Sequence, residues 1–204
     1  MRSRYALLTL LFCTAIFATP FQAAIDFSGG IEGPVTPVNL AFYGSVFTVG
    51  SDPILVSALG LHVVADPSGG IVRIYKNGTQ TDLVTATVDS NDLLSDDGRY
   101  RFETFTPVLL QANTSYVVIS HFNNGQRIIR HATGLTTQAG ITFLGARAGG
   151  TAVPYPVGDG EAGGPYLVPT FEFTIQSSTP EPSTMGLFAI AFLAAGVMKV
   201  RRRQ

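Results

Sequence analysis

The central part of this 204-residue chain, residues 25–179, contains no stretch of useful helical periodicity. Short runs of β-branched and aromatic residues alternate there with Gly, Pro, Asn and Asp, a pattern typical of strands joined by turns. Ten runs predict strands: Leu40–Val49, Leu55–Val64, Ile71–Tyr75, Asp82–Val88, Tyr100–Phe105, Val108–Leu110, Ser115–Phe122, Arg127–Arg130, Ile141–Ala146 and Thr170–Ile175. Their number and spacing predict an all-β domain over residues 25–176, a single antiparallel β-sandwich or jelly roll. The Gly- and Pro-rich segment Thr151–Pro169 predicts a long surface loop.

Two Asn-Gly pairs predict β-hairpins. Asn77-Gly78 predicts a two-residue type I′ turn that places Arg73 opposite Asp82 as an outward ion pair. The same register places three apolar residues on the inner face: Val72, Ile74 and Leu83.

The second pair, Asn124-Gly125, predicts a hairpin with Phe122 opposite Arg127. This register places His121 and His131 on opposite faces of the sheet, so the two imidazoles would not converge on one metal ion.

The first 24 residues predict a secretory signal peptide. Arg2 and Arg4 are followed by the apolar run Tyr5–Ala18, and we expect cleavage after Ala23 or Ala24. The partners implied are the Sec translocon and signal peptidase. The single cysteine of the chain lies inside this segment, so the predicted mature domain has no thiol for a disulfide or a metal site.

The net charge of −1 hides an uneven distribution. Both ends are basic, whereas residues 25–180 contain 13 acidic and seven basic residues, a net charge of −6. Charged residues make up only 13% of the chain. This composition excludes a coiled coil, a charged disordered chain and a basic nucleic-acid binder.

Residues 177–204 form a distinct C-terminal segment. Pro180-Glu181-Pro182 precedes the apolar run Met185–Met198, and a basic cluster follows, made of Lys199, Arg201, Arg202 and Arg203. Fourteen helical residues span about 21 Å, less than the ~30 Å hydrocarbon core of a bilayer. The basic cluster predicts that the C-terminus stays in the cytoplasm and the body lies outside.

This combination resembles the PEP-CTERM sorting signal of Gram-negative bacteria. The resemblance implies recognition by an exosortase, a membrane cysteine protease/transpeptidase, with cleavage near Pro180-Glu181-Pro182. The alternative is a plain C-terminal anchor that holds a periplasmic domain on the inner membrane permanently.

The body has a second resemblance. Its succession of Phe47-Thr48-Val49-Gly50, Val72-Arg73-Ile74-Tyr75, Gly98-Arg99-Tyr100 and Ile141-Thr142-Phe143 is similar to a β-sandwich module of unassigned function, related to DUF4082-type domains. This resemblance implies no catalytic residues.

Histidine and glutamate spacing offers no recognisable active site. The three histidines lack His-x-His or His-x-x-x-His spacing: His62, His121 and His131. Glycoside hydrolysis needs two carboxylates facing one cleft, and three glutamates were weighed for it: Glu103, Glu161 and Glu172. Nothing in their spacing selects a pair, and strand alternation favours outward positions for Glu103 and Glu172.

The segment Asp89–Gly98, here called the acidic loop, offers several oxygen ligands within ten residues. Its candidate calcium ligands are Asp89, Asn91, Asp92, Asp96 and Asp97. The loop lacks EF-hand spacing, and a solvated loop closed by Asx-turns is the favoured interpretation.

These observations together predict an exported, non-catalytic protein of the cell surface, associated with exopolysaccharide or a biofilm matrix and needing no cofactor. Tyr155 and Tyr166 are candidates for stacking on sugars, although packing roles are favoured for both. The alternatives are a secreted hydrolase of matrix polysaccharide and the permanently anchored protein.

Overall fold

The computed structural model describes residues 21–34, 41–65, 70–122, 127–150, 155 and 169–176. These residues form one 3-10 turn, Val63–Ala65, and 13 strands. The strands are β1 (Ile25–Asp26), β2 (Gly29–Pro34), β3 (Ala41–Val49), β4 (Ile54–His62), β5 (Gly70–Lys76), β6 (Asp82–Val88), β7 (Leu93–Leu94), β8 (Tyr100–Leu110), β9 (Ser115–Phe122), β10 (Arg127–Thr133), β11 (Thr136–Thr137), β12 (Ile141–Gly150) and β13 (Pro169–Ile175). The predicted all-β class is confirmed, whereas the helices predicted for the two ends lie outside the described residues.

Two antiparallel sheets form the body of the domain. The five-stranded sheet has the order β12-β3-β9-β5-β6, and the four-stranded sheet has the order β13-β4-β8-β7. Two short ribbons, β1-β11 and β2-β10, complete the described part of the fold.

The main core lies between the two sheets. Phe47 of β3 packs against Phe171 of β13, with ring centroids 4.7 Å apart, and both side chains are fully buried. Val72 and Ile74 of β5 join this core through the alternation of side chains along the strand. Burial of each such side chain stabilises the fold by about 1.5–3 kcal/mol.

The opposite face of the four-stranded sheet is covered by the N-terminal residues. Phe21 stacks on Phe102 of β8, with ring centroids 5.5 Å apart. Close packing requires a glycine beneath them, since a Cβ at Gly60 would lie 2.5 Å from the Phe102 ring and 2.8 Å from Thr170 Cγ2. This face therefore packs as tightly as the inter-sheet core.

Most predicted strands are present, and one prediction is corrected. Tyr100–Phe105 and Val108–Leu110 belong to a single strand, β8. Pro107 lies where the β4–β8 register shifts, between the pairs Ala58↔Thr104 and Val56↔Val108. A proline is tolerated at such a bulge because no ladder hydrogen bond is required of it there.

The first predicted hairpin pairs β5 with β6, but its turn differs from the prediction. Gly78 has a φ of +84°, whereas Asn77 is not among the described residues with positive φ, so the turn is not type I′. The register shifts at Tyr75, which pairs with Asp82. Arg73 pairs with Thr85 and not with Asp82 as predicted, a displacement of three residues. An odd displacement reverses the face of every side chain, so Leu83 is 43% exposed instead of inward.

The second predicted hairpin is wrong. β9 lies between β3 and β5, and Phe122 pairs with Ala41. β10 pairs instead with β2, placing Arg127 opposite Pro34. Long-range pairing occupied both edges of β9, and this outweighed the local turn preference of Asn124-Gly125, which lies outside the described residues.

Candidate functional site

A groove of about 390 Å³ lies between the N-terminal residues, the acidic loop and β11. Its walls combine carboxylates, hydroxyls, amides and one aromatic ring. The lining residues are Phe21, Gln22, Ala23, Asp26, Asp96, Asp97, Thr136, Thr137 and Gln138. Its volume falls within the range of ligand-binding clefts.

Gln138 fixes the N-terminal wall of the groove. Its side-chain amide donates hydrogen bonds to the carbonyl oxygens of Gln22, at 2.8 Å, and Ala23, at 3.1 Å. Its backbone N–H donates to the Ala24 carbonyl at 3.0 Å. The Ala24 N–H in turn donates to the Phe171 carbonyl at 2.9 Å, which ties this wall to β13.

Asp26 lines the groove and accepts hydrogen bonds from three groups. Its carboxylate accepts hydrogen bonds from Arg99 at 2.9 Å, from the Tyr100 hydroxyl at 2.8 Å and from the Phe27 N–H at 2.7 Å. The Arg99 guanidinium also donates to the Phe27 carbonyl and lies over the Phe27 ring, 5.1 Å from its centroid. Burial, followed by the negative charge of Asp26, raises the pKa of Tyr100, so its hydroxyl remains a donor.

Asp97 closes the end of the acidic loop. Its carboxylate accepts hydrogen bonds from the Ser95 hydroxyl at 2.6 Å and from the Arg99 N–H at 3.0 Å. Burial opposes ionisation, but these hydrogen bonds and the charge of Arg99 outweigh it and lower the pKa of Asp97. Asp97 is therefore a carboxylate at neutral pH, exposed at the rim of the groove.

The candidate calcium ligands are spread along the loop and bond largely to its backbone. Asp92 accepts from the Asp89 N–H at 2.6 Å, and Asp89 accepts from the Asn91 N–H at 2.7 Å. The second contact is an Asx-turn, whereas in the first the Asp92 side chain reaches back to a residue three positions earlier. Within the described ranges, no three His, Cys, Asp or Glu side chains are arranged to hold a metal ion.

The three histidines occupy separate environments. His62 stacks on Phe27, with ring centroids 5.3 Å apart, and its Nδ1 accepts a hydrogen bond from the Val64 N–H at 3.2 Å. Burial and the charge of Arg99 lower the pKa of His62 to about 4. His121 stacks on Phe42 in the five-stranded sheet, whereas His131 is exposed in β10 with a φ of +50°.

Glu103 and Glu172 lie on opposite faces of the four-stranded sheet. They pair with consecutive β4 residues, Leu59 and Ala58 respectively. The neighbouring carboxylate of Asp92 raises the pKa of Glu103, and burial raises the pKa of Glu172. The third glutamate considered for hydrolysis, Glu161, lies outside the described residues.

Tyr155 packs on the outer face of the five-stranded sheet. Its ring meets Tyr75 edge-on, with centroids 5.2 Å apart, and the Arg73 guanidinium lies 5.8 Å from the Tyr155 centroid. Arg73 also forms the predicted ion pair with Asp82, at 3.3 Å. Tyr155 thus has a packing role against these side chains, and Tyr166, the other candidate for sugar stacking, lies outside the described residues.

The folded domain ends close to the C-terminal segment. The last described residue, Gln176, donates its N–H to the Pro53 carbonyl at 2.8 Å. The family model of the PEP-CTERM protein-sorting motif matches residues 178–203. The chain carries a PEP-CTERM sorting signal. No curated protein and no solved structure matches the chain.

The PEP-CTERM motif includes both predicted parts of the signal, Pro180-Glu181-Pro182 and the basic cluster that ends at Arg203. It marks the chain as an exported protein that an exosortase processes. The matched residues lie outside the described part of the structure. Among the residues that are described, no helix is long and apolar enough to cross a membrane.

Of the nine described residues that line the groove, the sequence pattern indicates only Asp96 and Asp97 as candidate ligands. Asp97 and Asp96 were weighed as calcium ligands, but Asp26, Thr136 and Gln138 were not considered. β1 and β11 contain two residues each, too short for any periodic pattern to reveal. In the sequence Asp26 is a single acidic residue between apolar neighbours. Its role becomes visible only through the ion pair with Arg99, which is distant in the chain.

Proposed function

We propose that this protein is an exported, non-catalytic β-sandwich that is delivered to the cell surface and associates there with exopolysaccharide. The observation that carries the proposal is the PEP-CTERM motif at residues 178–203, directly after the folded domain. The predicted signal peptide supplies entry through the Sec translocon. The domain therefore works outside the cytoplasm, where extracellular polysaccharide is the abundant polar polymer.

The composition of the groove supports polysaccharide as the ligand. Thr136 and Thr137 present hydroxyl groups, Asp96 and Asp97 present carboxylates, and Phe21 presents an aromatic ring. Sugars offer hydroxyl donors and acceptors on their edges and apolar C–H surfaces on their faces. A cleft with a few convergent polar groups and an aromatic wall fits both.

Charge narrows the class of polysaccharide. The acidic groove belongs to a segment whose net charge is −6. Like charges repel an anionic polymer, particularly at low ionic strength. We therefore assign a neutral or amino-sugar polysaccharide to the groove instead of a polyuronate.

The state of the groove carboxylates favours binding without hydrolysis. Glycosidases need one carboxylic acid with a raised pKa to protonate the leaving group. The carboxylate of Asp26 accepts hydrogen bonds from Arg99 and Tyr100. The pKa of Asp97 is lowered, so this side chain is not poised to donate a proton. Glu103 and Glu172 face opposite sides of the sheet.

Co-sedimentation of the protein, purified from an exporting host, with three insoluble polysaccharides tests this proposal. We expect retention by a neutral glucan and by chitosan, and none by a cross-linked polyuronate. Thr136→Ala should weaken retention, whereas the matched change Thr81→Ala, at an exposed threonine away from the groove, should not. Absence of retention by all three polymers, or equal retention of both variants, would refute the polysaccharide assignment.

A further inference from the structure

We propose that signal peptidase cleaves this chain before Phe21, at the bond after Ala18, so that residues 21–24 belong to the mature domain. This site differs from the expected cleavage after Ala23 or Ala24. The inference rests on the proposed export, because it requires a signal peptide, but it is independent of what the groove binds.

Side-chain packing makes residues 21–24 part of the fold. Ala24 is fully buried in the same core as Phe47 and Phe171. Phe21 stacks on the fully buried Phe102, with an interplanar angle of 22°. Their removal would uncover part of the outer face of the four-stranded sheet.

Backbone hydrogen bonds point to the same conclusion. Gln138 donates to three successive carbonyl groups, those of Gln22, Ala23 and Ala24. The Gln138 side chain thus binds two peptide carbonyls that are 115 or more residues away in sequence. Such long-range contacts indicate that residues 22 and 23 belong to the folded domain. Cleavage after Ala24 would leave the Gln138 amide without these acceptors.

Cleavage at either of the later bonds would create a charged N-terminus inside the fold. Cleavage after Ala24 would place an ammonium group on Ile25, whose N–H donates to the buried Thr170 hydroxyl at 3.2 Å. Cleavage after Ala23 would place it on Ala24, whose N–H donates to the Phe171 carbonyl. A charged group at either position is costly because Ala24 and Ile25 are buried and the acceptors in these contacts, a carbonyl and a hydroxyl, are uncharged.

The sequence before Phe21 supplies a suitable bond. Signal peptidase favours small residues before the cleaved bond, and Ala18 is the nearest one upstream. None of the three bonds has a small residue at the −3 position, which is Ile16 for this bond and Phe21 or Gln22 for the two later bonds, so retention of residues 21–24 decides between them. The peptidase acts before folding, so the contacts above do not direct it; they require that the residues be kept.

N-terminal sequencing and intact mass of the full chain, purified from an exporting host, test the proposal. We expect Thr19 as the first residue of the mature chain. A chain that begins at Ala24 or Ile25 would overturn it. A chain that still begins at Met1 would overturn it too, and would remove the signal peptide on which export depends.

A pair of lysine substitutions separates the candidate bonds. Ala18→Lys places a charge at the −1 position of the proposed site and should leave unprocessed precursor. Gln22→Lys places a charge at the −3 position for cleavage after Ala24, on an exposed side chain, and should leave the N-terminus unchanged. The reverse pattern would contradict the proposal.

Discussion

Arg99, the residue that follows the acidic loop, places its Nη1 2.9 Å from Oδ2 of Asp26 in β1, 73 residues away in the chain. The same carboxylate accepts the Tyr100 hydroxyl, so two consecutive residues of one segment bind one acid of another. This contact positions β1 with respect to the segment that follows the acidic loop. Its loss should therefore affect both stability and the shape of the site.

The Asp26 cluster provides the first prediction. Asp26→Ala leaves the Arg99 guanidinium, the Tyr100 hydroxyl and the Phe27 N–H without their acceptor. We expect the free energy of unfolding to fall by about 2–3 kcal/mol, measured by urea denaturation at pH 7. A surface ion pair offers the matched control: Arg127 and Glu32 are 2.8 Å apart and about half exposed, so Glu32→Ala should cost at most about 0.5 kcal/mol. Equal losses for the two variants would show that the cluster has no special role.

His62 provides a pH-dependent prediction. Its pKa is lowered to about 4 in the folded state by burial and Arg99, against about 6.5 in the unfolded chain. The unfolded state therefore binds more protons between these values, and stability falls as the pH drops from about 6.5 to about 4. We expect the free energy of unfolding to fall by about 2–3 kcal/mol over this window. Urea denaturation at a series of fixed pH values measures this loss.

Two substitutions, His62→Gln and His131→Asn, test which histidine causes the pH dependence of stability. His62→Gln retains a hydrogen-bond acceptor for the Val64 N–H and should remove most of this pH dependence. His131→Asn, at an exposed position with positive φ, should leave it intact. A pH profile unchanged by His62→Gln would assign the effect to other groups, such as His121, whose pKa burial also lowers.

Gly60 provides a steric prediction. Gly60→Ala would place a methyl group 2.5 Å from the Phe102 ring, in a layer that has no room to relax toward Phe21. We expect destabilisation of about 2–4 kcal/mol, read from the denaturation midpoint. Gly50→Ala meets its nearest atoms at 3.4 Å and should change stability by less than about 1 kcal/mol. A Gly60→Ala protein as stable as the wild type would contradict the described packing.

The acidic loop yields a prediction about calcium. Asp89, Asp92 and Asp97 already accept hydrogen bonds from the backbone of the loop. We expect the melting temperature in 1 mM CaCl₂ to lie within about 1 °C of its value in EGTA. Carboxylates that already accept backbone hydrogen bonds would have to give them up to bind calcium, so little binding energy is available. A rise of several degrees, abolished by Asp92→Asn, would instead establish a calcium site.

Local patterns predicted most strands but not their partners. The bounds of β6 and β9 follow from apolar alternation between strong turn residues. The prediction of the Asn124-Gly125 hairpin was wrong because strand pairing depends on which edges are free in the assembled sheet. The actual partner of β10 is β2, which contains three glycines and a proline and therefore has no strand pattern of its own.

The candidate site divides in the same way. The sorting motif could be recognised because Pro180-Glu181-Pro182, an apolar run and basic residues are contiguous in sequence. The groove could not be, since Asp26, Asp97 and Gln138 meet only through tertiary contacts. Leu83 illustrates the intermediate case: β5 and β6 pair as predicted, but their register is displaced by three residues, which reverses the face of Leu83.

The central claim is that the C-terminal segment is a sorting signal that is read and removed. Its most direct test is the intact mass of the protein purified from cells that contain the cognate exosortase and from cells that lack it. We expect the exosortase-positive cells to yield a chain that ends near Pro180-Glu181-Pro182, and the deletion strain to yield a chain that still ends at Gln204. Glu181→Ala should reproduce the deletion phenotype. A chain that retains Gln204 in exosortase-positive cells would contradict the claim and favour a permanent membrane anchor.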